Sequence, residues 1–361
     1  MTPPATLDEI RRTLRALPGP DLAAASTAAA REAELTKPAG ALGRLEEIAA
    51  WVAMWQGRHP PRVDHPRVVV FAGNHGVAAR GVSAYPATVT AQMVQNFIAG
   101  GAAINQLCKA FDADLRVYEM ALDRPSADFT QGPALSEDEC TRAIAYGMMA
   151  VEPGLDLLCV GEMGIANTTA AAALCLALYG GDAADWTGPG TGVAGDALAR
   201  KRAVVAEGAA RHAAAIRESG GDGLEILRRL GGHELAAMVG ALIAARFART
   251  PVLLDGFVGC AARQWSSAPG AAAANVAAAA HPTKPSSSTG VRAKRAAMMA
   301  PTMAASSWPP SRRRISSPSP PLSRIAASWR EAPSATTARL RASASPATPV
   351  PGPVQSPASP P

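Results

Sequence analysis

The sequence predicts an α/β protein, a parallel sheet flanked by helices, preceded by a helical segment and followed by a low-complexity tail. Three observations carry this reading. Between residues 61 and 257, short apolar runs closed by glycine or other small residues alternate with helical patterns, and such alternation means βαβ crossovers and parallel strands. Residues 1–60 place their apolar side chains at helical spacing. After Phe257 the chain turns to Ala, Ser, Pro and Arg.

The elements follow in order. Leu7, Ile10, Leu14 and Leu17 recur at helical spacing, and residues 42–55 form a second amphipathic stretch with Leu45, Ile48, Ala49, Val52 and Trp55 on one face. Val68, Val69, Val70 and Phe71 then make an apolar run stopped by Ala-Gly, the pattern of a strand buried on both faces. A loop at 81–86 leads to a helix over 87–110 and a strand at 115–118. Ser136, followed by Glu137, Asp138 and Glu139, reads as a capping box opening a helix. Strands at 155–160 and 252–254 enclose helices starting at Asn167 and near 197–217 and 233–248. No internal repeat is evident, and the divisions fall at 1–60, 61–257 and 258–361.

The net charge of +6 is unevenly placed. Residues 256–361 hold 12 Lys and Arg against one acid, Glu331, for +11, which leaves 23 bases and 28 acids, or −5, in residues 1–255. A nucleic-acid surface needs its bases clustered on ordered elements. Here they sit among Ala, Ser and 17 of the chain's 31 prolines. That composition predicts a disordered tail, because it offers no periodic apolar face to offset the entropy of ordering. No nucleic-acid partner is expected.

The five cysteines (Cys108, Cys140, Cys159, Cys175, Cys260) are odd in number and mostly embedded in apolar stretches, as buried free thiols of a reducing compartment are. The N-terminus lacks the charged and apolar regions of a leader, and no apolar run approaches the length of a membrane span of about 18 residues. A cytoplasmic location, with no membrane partner, is expected.

In an open parallel sheet, ligands meet the residues just after each strand. Three such segments stand out. The first runs from Phe71 through Gly73, Asn74, His75 and Gly76 to Ser83, Tyr85, Gln92 and Met93; it suits a flat aromatic ring, and equally a tight turn with core side chains. The second, Gly161 to Thr169, precedes an Ala-rich helix; its glycines and its Asn and Thr donors suit a phosphate, and Asn167 or Thr168 also suits a plain helix cap. The third, Gly188-Pro189-Gly190-Thr191-Gly192 with Lys201 downstream, is an anion loop with a cation, or only a turn. The sequence holds no P-loop, no G-x-G-x-x-G after a strand, no nucleophile elbow and no adjacent acid pair that would hold magnesium diphosphate. Its six histidines show no metal-ligand spacing, so neither metal nor cofactor is expected.

Taken together, these segments resemble the nicotinate-nucleotide:dimethylbenzimidazole phosphoribosyltransferase family. The resemblance rests on six blocks in order: 37–46 (Lys37-Pro38-Ala39-Gly40 through Glu46), 73–86, 161–169, 190–192, 231–238 (Gly231-Gly232-His233-Glu234 through Met238) and 251–257. It covers about residues 30–257. It implies a Rossmann-like sheet with a small helical domain, a homodimer, no metal, and transfer of phosphoribosyl from nicotinate mononucleotide to dimethylbenzimidazole. Ser83, Tyr85, Gln92 and Met93 would border the base. Gly161, Gly164, Asn167, Thr168, Gly190, Thr191 and Gly192 would hold the ribose phosphate, Lys201 would pair with it, and Glu162 would lie near the reacting base.

One departure is large. The family's base is a Glu in a late Gly-Glu-Gly-(Thr/Ser)-Gly block, and this chain has no Asp or Glu between Asp255 and Glu331. Pro189, and Asn74 before His75, are smaller departures. Because composition changes inside a motif block, the expectation is a reading-frame shift near codons 257–265, with a natural extension as the alternative and impaired catalysis or mere ligand binding as the consequence. The other two frames of the coding DNA decide it: if neither encodes that block, there was no shift.

Overall fold

In the computed structural model, which describes residues 4–264 and the backbone of 278–280, the chain opens with α1 (Leu7–Arg15), α2 (Leu22–Glu34) and α3 (Arg44–Gln56). The Thr6 side chain caps α1 by accepting from the Glu9 amide, and Leu7, Ile10 and Leu14 are buried; Leu17 packs on the core beyond the helix end. The second predicted stripe divides. Val52 and Trp55 are buried, whereas Leu45 and Ile48 are 63% and 46% exposed. Lys37 ties the turn between α2 and α3 by pairing with Glu32 and Glu46.

The α/β body follows: β1 (Pro66–Ala72), a 3-10 turn (Gly76–Arg80), α4 (Thr88–Ile98), α5 (Ala103–Ala110), β2 (Asp114–Glu119), α6 (Glu137–Met148), β3 (Leu157–Met163), α7 (Asn167–Tyr179), α8 (Ala183–Trp186), α9 (Gly195–Glu218), α10 (Gly223–Leu230), α11 (His233–Phe247), β4 (Val252–Leu254), α12 (Phe257–Gln264) and β5 (Ala278–Ala280). The sheet runs β2-β1-β3-β4-β5 with every pairing parallel. Strand order reverses between β1 and β3, so the carboxyl ends of these two strands diverge into the crevice where ligands of open α/β sheets bind.

Three local differences from expectation have physical reasons. The helix expected over 87–110 is two, because Gly100 adopts φ +78° and breaks it. The strand expected at 155–160 extends to Met163, since Gly161, Glu162 and Met163 pair with Val70, Phe71 and Ala72 of β1; Glu162 therefore sits on the strand rather than after it. Past Phe257 the body continues through α12, which buries Val258, Cys260, Ala261 and Ala262. The remainder of the expected tail lies outside the described residues.

The core is centred on α7, whose Ala170 to Ala173 are fully buried, and on α11. Glycines set the crossing of α6 and α11: a Cβ on Gly147 would strike the Ala237 carbonyl, and one on Gly240 the Ile144 carbonyl. Backbone meets backbone there, which fixes the helix that carries His233 and Glu234 against the body.

Candidate active site

The loop leaving β3 turns sharply into α7. Ala166 takes a left-handed conformation, φ +74°, and the Ile165 amide donates to Thr90 Oγ1 at 3.2 Å, fastening α4 to the loop. A pocket of about 280 Å³, including its mouth, opens beside this turn. Val82 and Ser83, then Gly164, Asn167 and Thr168 at the start of α7, and Pro189, Thr191 and Lys201 line it.

Lys201 is 2% exposed. Its Nζ donates to Thr168 Oγ1 at 2.8 Å, and no carboxylate pairs with it among the described residues. Burial without a counter-charge pulls its pKa down to about 8. Gly190, at φ +56°, lets the 188–192 loop close over this cation: a Cβ there would stand 2.9 Å from Nζ and 3.0 Å from Thr168 Oγ1. A buried, unneutralised ammonium beside the N-terminus of a 13-residue helix suits an anion, because charge and dipole point the same way.

Glu162 is partly buried on β3. Its carboxylate accepts from Asn167 Nδ2. Burial, and then the charge of Glu234, push its pKa up to about 7, against the opposing pull of the Asn167 bond and of His75. A carboxyl held there exchanges a proton near neutrality.

Behind Glu162 lies a fully buried pair. His75 Nε2 and Glu234 Oε1 are 2.5 Å apart, with side chains 1% and 0% exposed. Glu234 occupies the first turn of α11, where the helix dipole favours a carboxylate. Three glycines make room for it: a Cβ on Gly73 or Gly232 would strike its Oε2, and one on Gly164 would come within 3.4 Å of Oε1.

Similarity to known proteins coincides with this geometry. Residues 17–301 match the family described as phosphoribosyltransferase (DBI_PRT), and that span is more than half the chain. The chain belongs to this phosphoribosyltransferase family. Among curated relatives, the nicotinate-nucleotide–dimethylbenzimidazole phosphoribosyltransferases of Rhizobium meliloti strain 1021 and Brucella anthropi are 57% and 54% identical over 255 residues, 71% of this chain and 74% of each relative. Among solved structures, CobT of Thermus thermophilus has 39% identity and a TM-score of 0.66, covering 72% of this chain and 81% of that one. The family match begins before, and runs beyond, the 30–257 that the motifs span.

In this phosphoribosyltransferase the structure gathers Ser83, Gly164, Asn167, Thr168, Thr191 and Lys201 around one pocket. Gly161 pairs with Val70 inside the sheet, and Gly190 and Gly192 shape the closing loop through positive φ. Tyr85 and Gln92 are exposed and Met93 is half-buried; none of the three lines the pocket. Sequence reasoning missed the roles of His75, Thr90 and Glu234. His75 and Glu234 stand 159 positions apart, so no spacing signals their contact. The visible sign was Gly232 before a helix that starts with His-Glu.

Proposed function

We propose that this chain transfers the phosphoribosyl group of nicotinate mononucleotide to dimethylbenzimidazole, giving α-ribazole 5'-phosphate and nicotinate, in cobalamin synthesis. The observation that carries the proposal is Lys201, a buried cation without a carboxylate, hydrogen-bonded to Thr168 at the start of α7. The 5'-phosphate binds there, and the ribose extends toward Glu162. The bond from the anomeric carbon to the nicotinate nitrogen breaks, its electron pair staying with the pyridine ring. An azole nitrogen attacks the opposite face, so configuration inverts. The proton on the other azole nitrogen passes to a carboxylate, and Glu162, bonded to the pocket residue Asn167 and with its pKa pushed up to about 7, takes that role. Positioning supplies much of the acceleration.

Ser83, Tyr85, Gln92 and Met93 border the benzimidazole, α4 being held to the 164–166 loop by Thr90. Turnover is impaired by the missing late Glu. The chain works as a homodimer in the cytoplasm, consistent with the outward apolar residues of α2 and α3 and with five cysteines of which none forms a disulfide.

Purified protein incubated with both substrates should form α-ribazole phosphate, and nicotinate mononucleotide should raise its melting temperature. A melting shift without product identifies a non-catalytic binder, the reading favoured by the lack of acids between Asp255 and Glu331. Neither product nor shift refutes both.

A further inference from the structure

Glu234 and His75 do not line the pocket, yet they are the most completely buried ionisable contact of the described residues, both 1% exposed or less. Glu234 Oε2 and His75 Nδ1 have no hydrogen-bond partner among the described residues. A core that merely needed filling would hold apolar side chains here, since burying ionisable groups is costly and an apolar pair of equal volume is often at least as stabilising. The geometry supplies a different reason. Gly164 lines the pocket and adjoins the pair: a Cβ added to it would come within 3.4 Å of Glu234 Oε1, and its carbonyl accepts from the Asn167 amide at 3.2 Å. Asn167 in turn donates to Glu162. The chain of contact runs His75, Glu234, Gly164, Asn167, Glu162.

We propose that Glu234 and His75 are a positioning pair for Glu162, setting through charge and through the Gly164–Asn167 wedge where its carboxyl lies and when it takes up a proton. The pair rests on the phosphoribosyl-transfer reading for its purpose, but not for its existence. The groups facing Glu162 are Phe71 from β1, His75 after it, Asn167 from α7 and Glu234 from α11, with Lys201 across the pocket behind Thr168. The pair itself is faced by His233, whose surroundings add Glu139 and Arg124. Of the two pair members, Glu234 opposes ionisation of Glu162 and His75 favours it.

That opposition makes the test specific. The carboxylic C=O stretch of Glu162, identified in the infrared by its loss in Glu162→Gln, is followed against pH in the full chain. Glu234→Gln keeps shape and removes the group that opposes ionisation of Glu162, so the midpoint should fall; His75→Asn removes the group that favours it, so the midpoint should rise. A purely structural pair would shift neither, or both in the same direction, and either result overturns the proposal. Should a variant not fold, the wild type decides: coupling is reciprocal, so the His75 ring nitrogen resonances must inflect at the Glu162 midpoint, and their absence of response refutes the idea. The melting shift with nicotinate mononucleotide, lost in Lys201→Ala, tests the underlying function separately.

Discussion

Two side chains, Lys201 and Glu162, define the pH behaviour expected of the site. Glu162 must be ionised to accept a proton, so turnover should rise with pH through about 7. Lys201 must be protonated to hold a phosphate, so affinity for nicotinate mononucleotide should fall as pH rises through about 8. The kcat/KM profile is therefore a narrow bell, and a single acidic limb without the alkaline one would contradict it. Lys201→Met should remove the alkaline limb and weaken binding roughly 10- to 100-fold, the equivalent of one charge-assisted hydrogen bond of about 1.5–3 kcal/mol; titration calorimetry across pH measures both. Lys201 and Thr168 were legible in the sequence because each lies in or beyond a loop that follows a strand or a glycine-rich turn, a position with a known meaning. Glu234 was not, because its partner is 159 residues away and its meaning arises only when the chain is folded.

At the scale of elements, the strands and helices were read with little loss, since each apolar run and each cap is a local signal. Boundaries moved where partners decided them. Three extra residues of β3 exist because β1 offers Val70, Phe71 and Ala72 to pair with, and a one-strand reading of 155–160 holds no trace of that offer. The α6–α11 crossing was equally invisible. Ala at Gly240 would gain about 1 kcal/mol of helix propensity, but its Cβ would meet the Ile144 carbonyl, and overpacking of this kind costs about 1–3 kcal/mol or more. The second effect wins because the obstacle is backbone. Gly240→Ala should lower the melting temperature, as should Gly147→Ala, whereas Gly132→Ala, with nothing near its Cβ position, should leave it within a degree or so. In α2 and α3, Leu22 and Leu45 are 71% and 63% exposed. Leu22→Glu with Leu45→Glu should halve the mass seen by light scattering if the proposed dimer uses this face; an unchanged mass places the interface elsewhere.

For the whole molecule, the division of charge is the dominant long-range feature. Residues 1–255 carry −5 and residues 256–361 carry +11, so opposite charges on different copies can attract, against the net +6 that each copy carries. The screening length shrinks from about 30 Å at 0.01 M salt to about 3 Å at 1 M. Light scattering of the purified protein should therefore show self-association at low ionic strength that disperses as sodium chloride is added, and turbidity that grows with salt would assign it to apolar contacts instead. The composition change that produces this charge asymmetry was plain in the sequence. Where the family likeness gives out was less so, because the match extends to residue 301, past the point at which the motifs stop.

The glycine cradle around Glu234 has one more consequence. Gly73, Gly164 and Gly232 belong to three separate segments, after β1, after β3 and before α11, and each abuts the same carboxyl group. A small slide of any one segment drives its backbone into that group. The carboxyl thus acts as a gauge block, converting a tolerance of tenths of an ångström at one buried point into the mutual registration of two strand ends and a helix, and so holding the mouth of the pocket to a single shape before any ligand arrives.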